Sequence, residues 1–132
     1  MRRSRNNSGR WRLSVRAGAL GVAYLAALAV NRSLVVVRGP SMLPSLWPGD
    51  RVVTVPAFGR VDPGDVVVVR DPAEPGHLVV KRVHTVDEHG VDVRGDHPAA
   101  STDSRVWGPL PRRAIRRRVL RRWPDLRTPM RR

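Results

Sequence analysis

The 132-residue chain has no cysteine. This excludes a disulfide framework, a thiolate metal site and a cysteine nucleophile, and it is compatible with any compartment. Aromatic residues make up only 5% of the chain. They are not interleaved with a basic groove over the body of the sequence, so specific nucleic-acid recognition is not expected. No internal repeat is visible. The four histidines, at 77, 84, 89 and 97, are not at metal-ligand spacing on one helix. No metal and no organic cofactor is expected. The chain is also short of long apolar runs: Ala17–Val30 has fourteen residues, against about twenty for a full bilayer span. The scarcest residue is lysine. Of 25 cationic side chains, 24 are arginine and one is Lys81.

The charge is uneven. Residues 1–16 carry six arginines and no acid, and residues 112–132 carry ten arginines and one acid, Asp125. The stretch between them holds nine bases and ten acids. A near-neutral body thus sits between two basic flanks, and such a flank is compatible with nucleic acid, anionic lipid or no particular partner. Residues 1–16 read as a basic, disordered tail. Residues 17–32 read as a candidate membrane anchor helix, short enough to need its flanking arginines to snorkel. The six upstream arginines favour an N-terminus inside the cell. Two other readings of the run remain open. It could be a signal-peptide core, with Ala27-Leu28-Ala29 as a cleavage site, or a helix of a soluble protein.

From residue 33 the pattern changes to short β-branched runs between Pro/Gly turns. Ser33–Arg38, Arg51–Val55, Val66–Val69, His77–Val86 and Val91–Arg94 read as strands. Val66–Val69 is apolar enough to be buried on both faces. Residues 95–108 read as mostly loop. Arg113–Trp123 has helix-like spacing. The expected fold is a compact antiparallel β domain over 33–123, preceded by one apolar helix and followed by a basic tail over 124–132.

Two features carry chemistry. Gly39–Asp50 packs two glycines, three prolines and two serines into twelve residues. It can be neither helix nor central strand, so it is a shaped loop that can hold Ser41 out as a nucleophile. Lys81 lies in the apolar run Leu78–Lys81. Lysine can lose its proton when desolvated and arginine cannot. A lone lysine in such a run marks a position where deprotonation matters. Together Ser41 and Lys81 suggest a Ser/Lys hydrolase.

The loop Gly39–Asp50 resembles the nucleophile box of type I signal peptidases. Val80-Lys81-Arg82-Val83 resembles their lysine box, and Gly95–Gly108 their third box. The resemblance implies the Ser/Lys protease fold shared with LexA-type repressors, with Arg113–Trp123 as a returning strand. It also implies that Ser41 is the nucleophile and Lys81 its base, with Ser101 orienting the lysine and Asp103 and Arg105 forming a supporting ion pair. Met42, Val37, Leu46 and Val80 would line a pocket for a small substrate side chain. The third box departs from the family at His97 and Pro98. The implied activity is removal of N-terminal signal or pro-peptides from precursor proteins at a lipid bilayer. The N-terminus would be cytoplasmic and the catalytic domain on the far side of a single span. The short form also resembles the maturation peptidases of nickel-type superoxide dismutase, which would be soluble or peripheral. An inactive basic protein that binds membranes or nucleic acid is the alternative from a different class.

Overall fold

A computed structural model describes residues 20–23, 25–26, 32–58 and 60–123. The chain divides into two units, residues 1–31 and 32–132. In the first, residues 20–23 and 25–26 are helical and exposed. Among the described residues no helix is long and apolar enough to cross a membrane. The remainder of the expected anchor and both basic tails, 1–16 and 124–132, lie outside the described residues.

The second unit is built on one six-stranded antiparallel sheet. Its strands are β1 (Ser33–Val36), β2 (Arg51–Pro56), β3 (Val66–Arg70), β4 (Leu78–Asp87), β5 (Gly90–Arg94) and β6 (Ile115–Trp123). Their spatial order is β1-β2-β6-β3-β4-β5. The expected strands all form, with ends shifted by a few residues. Arg113–Trp123 is a strand from Ile115 onward, because the returning segment fills the gap between β2 and β3 and is hydrogen-bonded on both sides. Tertiary pairing there overrides the helical spacing of its apolar residues. Residues 95–108 are not all loop. They contain a 3-10 turn, Pro98–Ala100, and a single helical turn, Ser104–Trp107, here called α1.

β3 lies between β6 and β4, and Val67, Val68 and Val69 are each at most 1% exposed. Val67 and Val69 pack with Val83, Val91, Val93, Leu110 and Ile115 in one apolar cluster. Val66, on the other face, packs against a second cluster of Val37, Met42, Leu46 and Val52. Each buried valine contributes about 1.5–3 kcal/mol by removal from water.

One local device appears twice, although the sequence reading finds no repeat. In Trp47-Pro48-Gly49-Asp50 the Asp50 N–H bonds the Trp47 carbonyl at 3.0 Å, and the Asp50 carboxylate accepts the Trp47 N–H at 2.9 Å. Gly49 has φ +92. In Asp62-Pro63-Gly64-Asp65 the same two bonds measure 3.1 and 2.9 Å, and Gly64 has φ +95. Proline sets the second position of the turn, and only glycine is at ease at the third. Each turn then enters a bulge that grips a valine by both backbone groups. Gly49 N–H and Asp50 C=O hold Val37, and Gly64 N–H and Asp65 C=O hold Val83, all at 2.8 Å. Val37 precedes the Ser41 loop and Val83 follows Lys81. The two turns therefore fix the two segments that carry the candidate chemistry.

Candidate active site

The loop after β1 is held down by its apolar residues. Met42 and Leu46 are buried in the second cluster, while Ser41, between Gly39 and Met42, stays partly exposed. The Ser41 carbonyl accepts the backbone N–H of His97 at 2.9 Å. The third box therefore rests on the serine loop through the main chain. His97 itself is exposed, and Pro98 opens the 3-10 turn at its first position. The contact needs no particular side chain at 97, so the departure His97-Pro98 leaves it intact.

Lys81, in β4, is 4% exposed. Its amine donates to Ser101 Oγ at 3.0 Å. Ser101 Oγ donates in turn to Asp103 Oδ2 at 2.6 Å. Asp103 is fully buried and is the N-cap of α1. It accepts the N–H groups of Gly95 and Arg105 at 2.9 and 3.1 Å, and Arg105 Nε and Nη2 at 2.9 and 2.6 Å. Burial opposes ionisation of this carboxyl. The bonds from Arg105, Ser101 and the two backbone N–H groups outweigh it and hold the group well below the usual carboxylate range. The shift in Lys81 is downward from 10.5, driven first by burial. The charges of Asp103 and Asp71 pull against this, and that of Arg105 works with it.

Gly95 joins the two halves. A Cβ placed there would lie 2.3 Å from Ser101 Oγ and 2.6 Å from the Ser41 carbonyl oxygen. The structure thus brings Lys81, Ser101, Asp103 and Arg105 into one hydrogen-bonded chain and sets the Ser41 backbone against it. The Ser41 hydroxyl is not bonded to the Lys81 amine, which is directed to Ser101. Among the described residues no three His, Asp or Glu side chains are grouped as metal ligands.

The four apolar residues assigned to a substrate pocket do cluster. Val37, Met42 and Leu46 are buried together, and Val80 packs against them half-buried. Val37 and Met42 are 2% and 1% exposed, so most of their surface is already used in packing. A pair of residues missing from the sequence reading also bears on the site. Arg82 Nε and Nη2 form two parallel bonds to Asp96 at 2.9 and 2.8 Å, and Arg82 Nη1 reaches the Gly64 carbonyl at 2.9 Å. This fork clamps the third box to the lysine strand and to the second Pro-Gly-Asp turn. The Arg82 bond, opposed by burial and helped by the Ser45 hydroxyl, keeps the Asp96 carboxyl below its ordinary value.

A family model described as "Signal peptidase, peptidase S26" matches residues 10–87, which include Ser41 and Lys81. The chain belongs to this signal peptidase family. The third box lies beyond the matched residues, so its placement in this family member rests on the geometry above. The chain is 36% identical over 115 residues to mitochondrial ATP-independent inner membrane protease subunit 1a of Arabidopsis thaliana, covering 67% of this chain and 68% of that one. Mitochondrial inner membrane protease subunit 1 of Xenopus tropicalis is 32% identical over 115 residues, and its Homo sapiens counterpart 30%, each covering 69% of both chains.

Ser101→Ala removes the acceptor of the buried Lys81 amine and leaves a small void. We expect kcat to fall by about 10²-fold or more with little change in KM, because orientation of the amine is lost. Ser101→Thr keeps a hydroxyl and should recover part of the rate. A kinetic titration of both variants checks this. An unchanged kcat in the alanine variant would remove Ser101 from the site.

Proposed function

We propose that this signal peptidase family member is a serine endopeptidase in which Ser41 is the nucleophile and Lys81 the general base. The observation that carries the reading is the buried Lys81 amine donating to a hydroxyl, with no carboxylate among the described residues in direct contact. A hydroxyl stabilises an ammonium far less than a carboxylate would, and burial disfavours the charge, so the neutral amine is accessible. Ser41 Oγ attacks the scissile carbonyl while its proton passes to Lys81 Nζ. The backbone N–H of Ser41 contributes to the oxyanion site. The tetrahedral intermediate collapses to an acyl-enzyme as Lys81 returns the proton to the departing amine. Water, deprotonated by Lys81, then releases the acyl group and regenerates Ser41.

The substrates are precursor proteins cleaved after a small residue at the end of an N-terminal signal or pro-peptide. β1 is an edge strand, and β5 pairs with β4 only from Arg82 onward. Among the described residues this leaves one edge of β1 and the Leu78–Lys81 edge of β4 open to an extended peptide. Main-chain pairing is indifferent to side chains, so selectivity falls to pockets at alternate positions. Val80 packs against Val37, Met42 and Leu46, and a lining so closely packed suits alanine or glycine at the cleavage position. A larger residue must displace packed side chains at a cost of about 1–3 kcal/mol, or about tenfold to over a hundredfold in rate. The test is cleavage of a peptide series varying only at that residue. Equal rates for alanine and leucine would remove the pocket, and no cleavage of an Ala-x-Ala peptide would remove the function.

The membrane is the setting. The mitochondrial relatives are inner membrane proteases by name, and residues 17–32 follow six arginines. We expect the protein to stay with membranes after a high-salt wash, which strips purely electrostatic attachment. Protease added outside the cytoplasm should reach residues 33–123. Full release by salt would instead favour a peripheral maturation peptidase.

A further inference from the structure

A cavity of about 270 Å³ lies away from the serine loop, where the end of β3 and the loop after it meet the segment entering β6. Leu110, 4% exposed, and Ala114 form its floor, and Pro72 and Pro75 form a wall. Arg70, Arg113 and Arg116 stand around it. Arginines nearer the candidate site are matched by acids: Arg82 by Asp96, Arg94 by Asp92 and Arg105 by Asp103. Among the described residues no side-chain partner meets Arg70, Arg113 or Arg116. One acid, Asp71, lines the cavity, and its Oδ1 is taken up by the N–H groups of Ala73 and Glu74. Three guanidinium groups against one engaged carboxylate leave the cavity positive.

We propose that this cavity binds the phosphate head of an anionic amphiphile, with Arg70, Arg113 and Arg116 on the phosphate and the attached carbon skeleton over Pro72, Leu110 and Ala114. Three planar forks offer more donors than the two oxygens of a carboxylate can accept. A phosphate monoester has three terminal oxygens and a charge near −2. The floor decides against the free ion. The lining is mostly apolar, and inorganic phosphate would leave it wet, whereas a carbon skeleton covers it. Basic pockets of this kind suit lipid headgroups.

The experiment uses the full chain and dihexanoyl phosphatidic acid below its micelle concentration, with binding followed by calorimetry. Inorganic phosphate and an acidic peptide without phosphate are the comparison probes. Saturable binding of the lipid is expected, tighter than inorganic phosphate by about tenfold or more. Arg70→Gln/Arg113→Gln/Arg116→Gln should weaken lipid binding about tenfold or more. Arg32→Gln/Arg51→Gln/Arg60→Gln removes the same charge outside the cavity and should weaken it less than about twofold. Ala114→Leu fills the floor at constant charge. It should weaken the lipid while leaving inorganic phosphate unchanged, and it serves if the triple variant fails to fold. Equal losses in the two triple variants, equal affinity for inorganic phosphate, or equally tight binding of the acidic peptide would each overturn the assignment.

Discussion

Lys81→Arg is expected to reduce peptide cleavage by about 10⁴-fold or more, and Ser41→Ala by as much. The arginine variant is the sharper test because it keeps a cationic side chain on a flexible aliphatic stem. What it removes is the ability to give up a proton at any working pH. The wild-type rate should rise with pH as Lys81 deprotonates and then level off. Because burial lowers the lysine from 10.5, the plateau begins below the pH a solvated lysine would require. The sign is fixed by the base role: activity is lost as pH falls through the folded-state pKa of Lys81. The double variant should be no worse than either single one, since the two side chains act as a unit. Thermal unfolding of each variant checks that the fold is retained. If Lys81→Arg keeps more than about a tenth of the activity, the lysine is not the base.

Gly95→Ala should also cut the rate, though by less. The added Cβ would meet Ser101 Oγ at 2.3 Å, Ser101 Cβ at 2.6 Å and the Ser41 carbonyl oxygen at 2.6 Å. One of these is backbone, held by the His97 N–H, and cannot swing aside. Relief must come from moving the third box away from the serine loop or Ser101 away from Lys81. Overpacking costs about 1–3 kcal/mol of stability, and a displacement of about 1 Å at a reacting group costs about 10²-fold in rate. Gly108→Ala is the control. Its φ of +75 strains any side chain, yet nothing lies within 4 Å of the added atom. It should lose about 1–3 kcal/mol with kcat retained. Comparing kcat and unfolding midpoints for the two variants separates site geometry from general instability. Similar kcat values for both would mean that contact at Gly95 does not govern the site.

The strands were legible because valine is concentrated in them, and a run such as Val66–Val69 has few other uses in a small domain. Register was not legible. β6 spans a gap between two strands far away in sequence, and only that pairing turns its helix-like spacing into an extended strand. At the candidate site, Lys81 stands out by chemistry alone as the single lysine, whereas Ser41 shares its loop with Ser45 and is set apart by its place in the resemblance to the nucleophile box. The Arg82–Asp96 fork could not be singled out. Both residues adjoin marked positions, but arginine is so common here that no particular pairing is suggested. Apolar character at Val37, Met42 and Leu46 was equally plain. How much of their surface remains open depends on packing, which a sequence does not record.

The paired Pro-Gly-Asp turns bear on how such a chain can change over generations. Each fastens its partner valine by main-chain groups, so most substitutions in the adjoining strands leave the fastening untouched. Val37 is tied from the Asp50 side and Val83 from the Asp65 side. The connection between β2 and the second turn lies outside both ties, and that between β3 and β4 is looped off between the tied ends Asp65 and Val83. Extra residues inserted there could grow into a whole additional lobe while the serine loop and the lysine strand stay where they are. The architecture separates what must stay fixed from what is free to be elaborated.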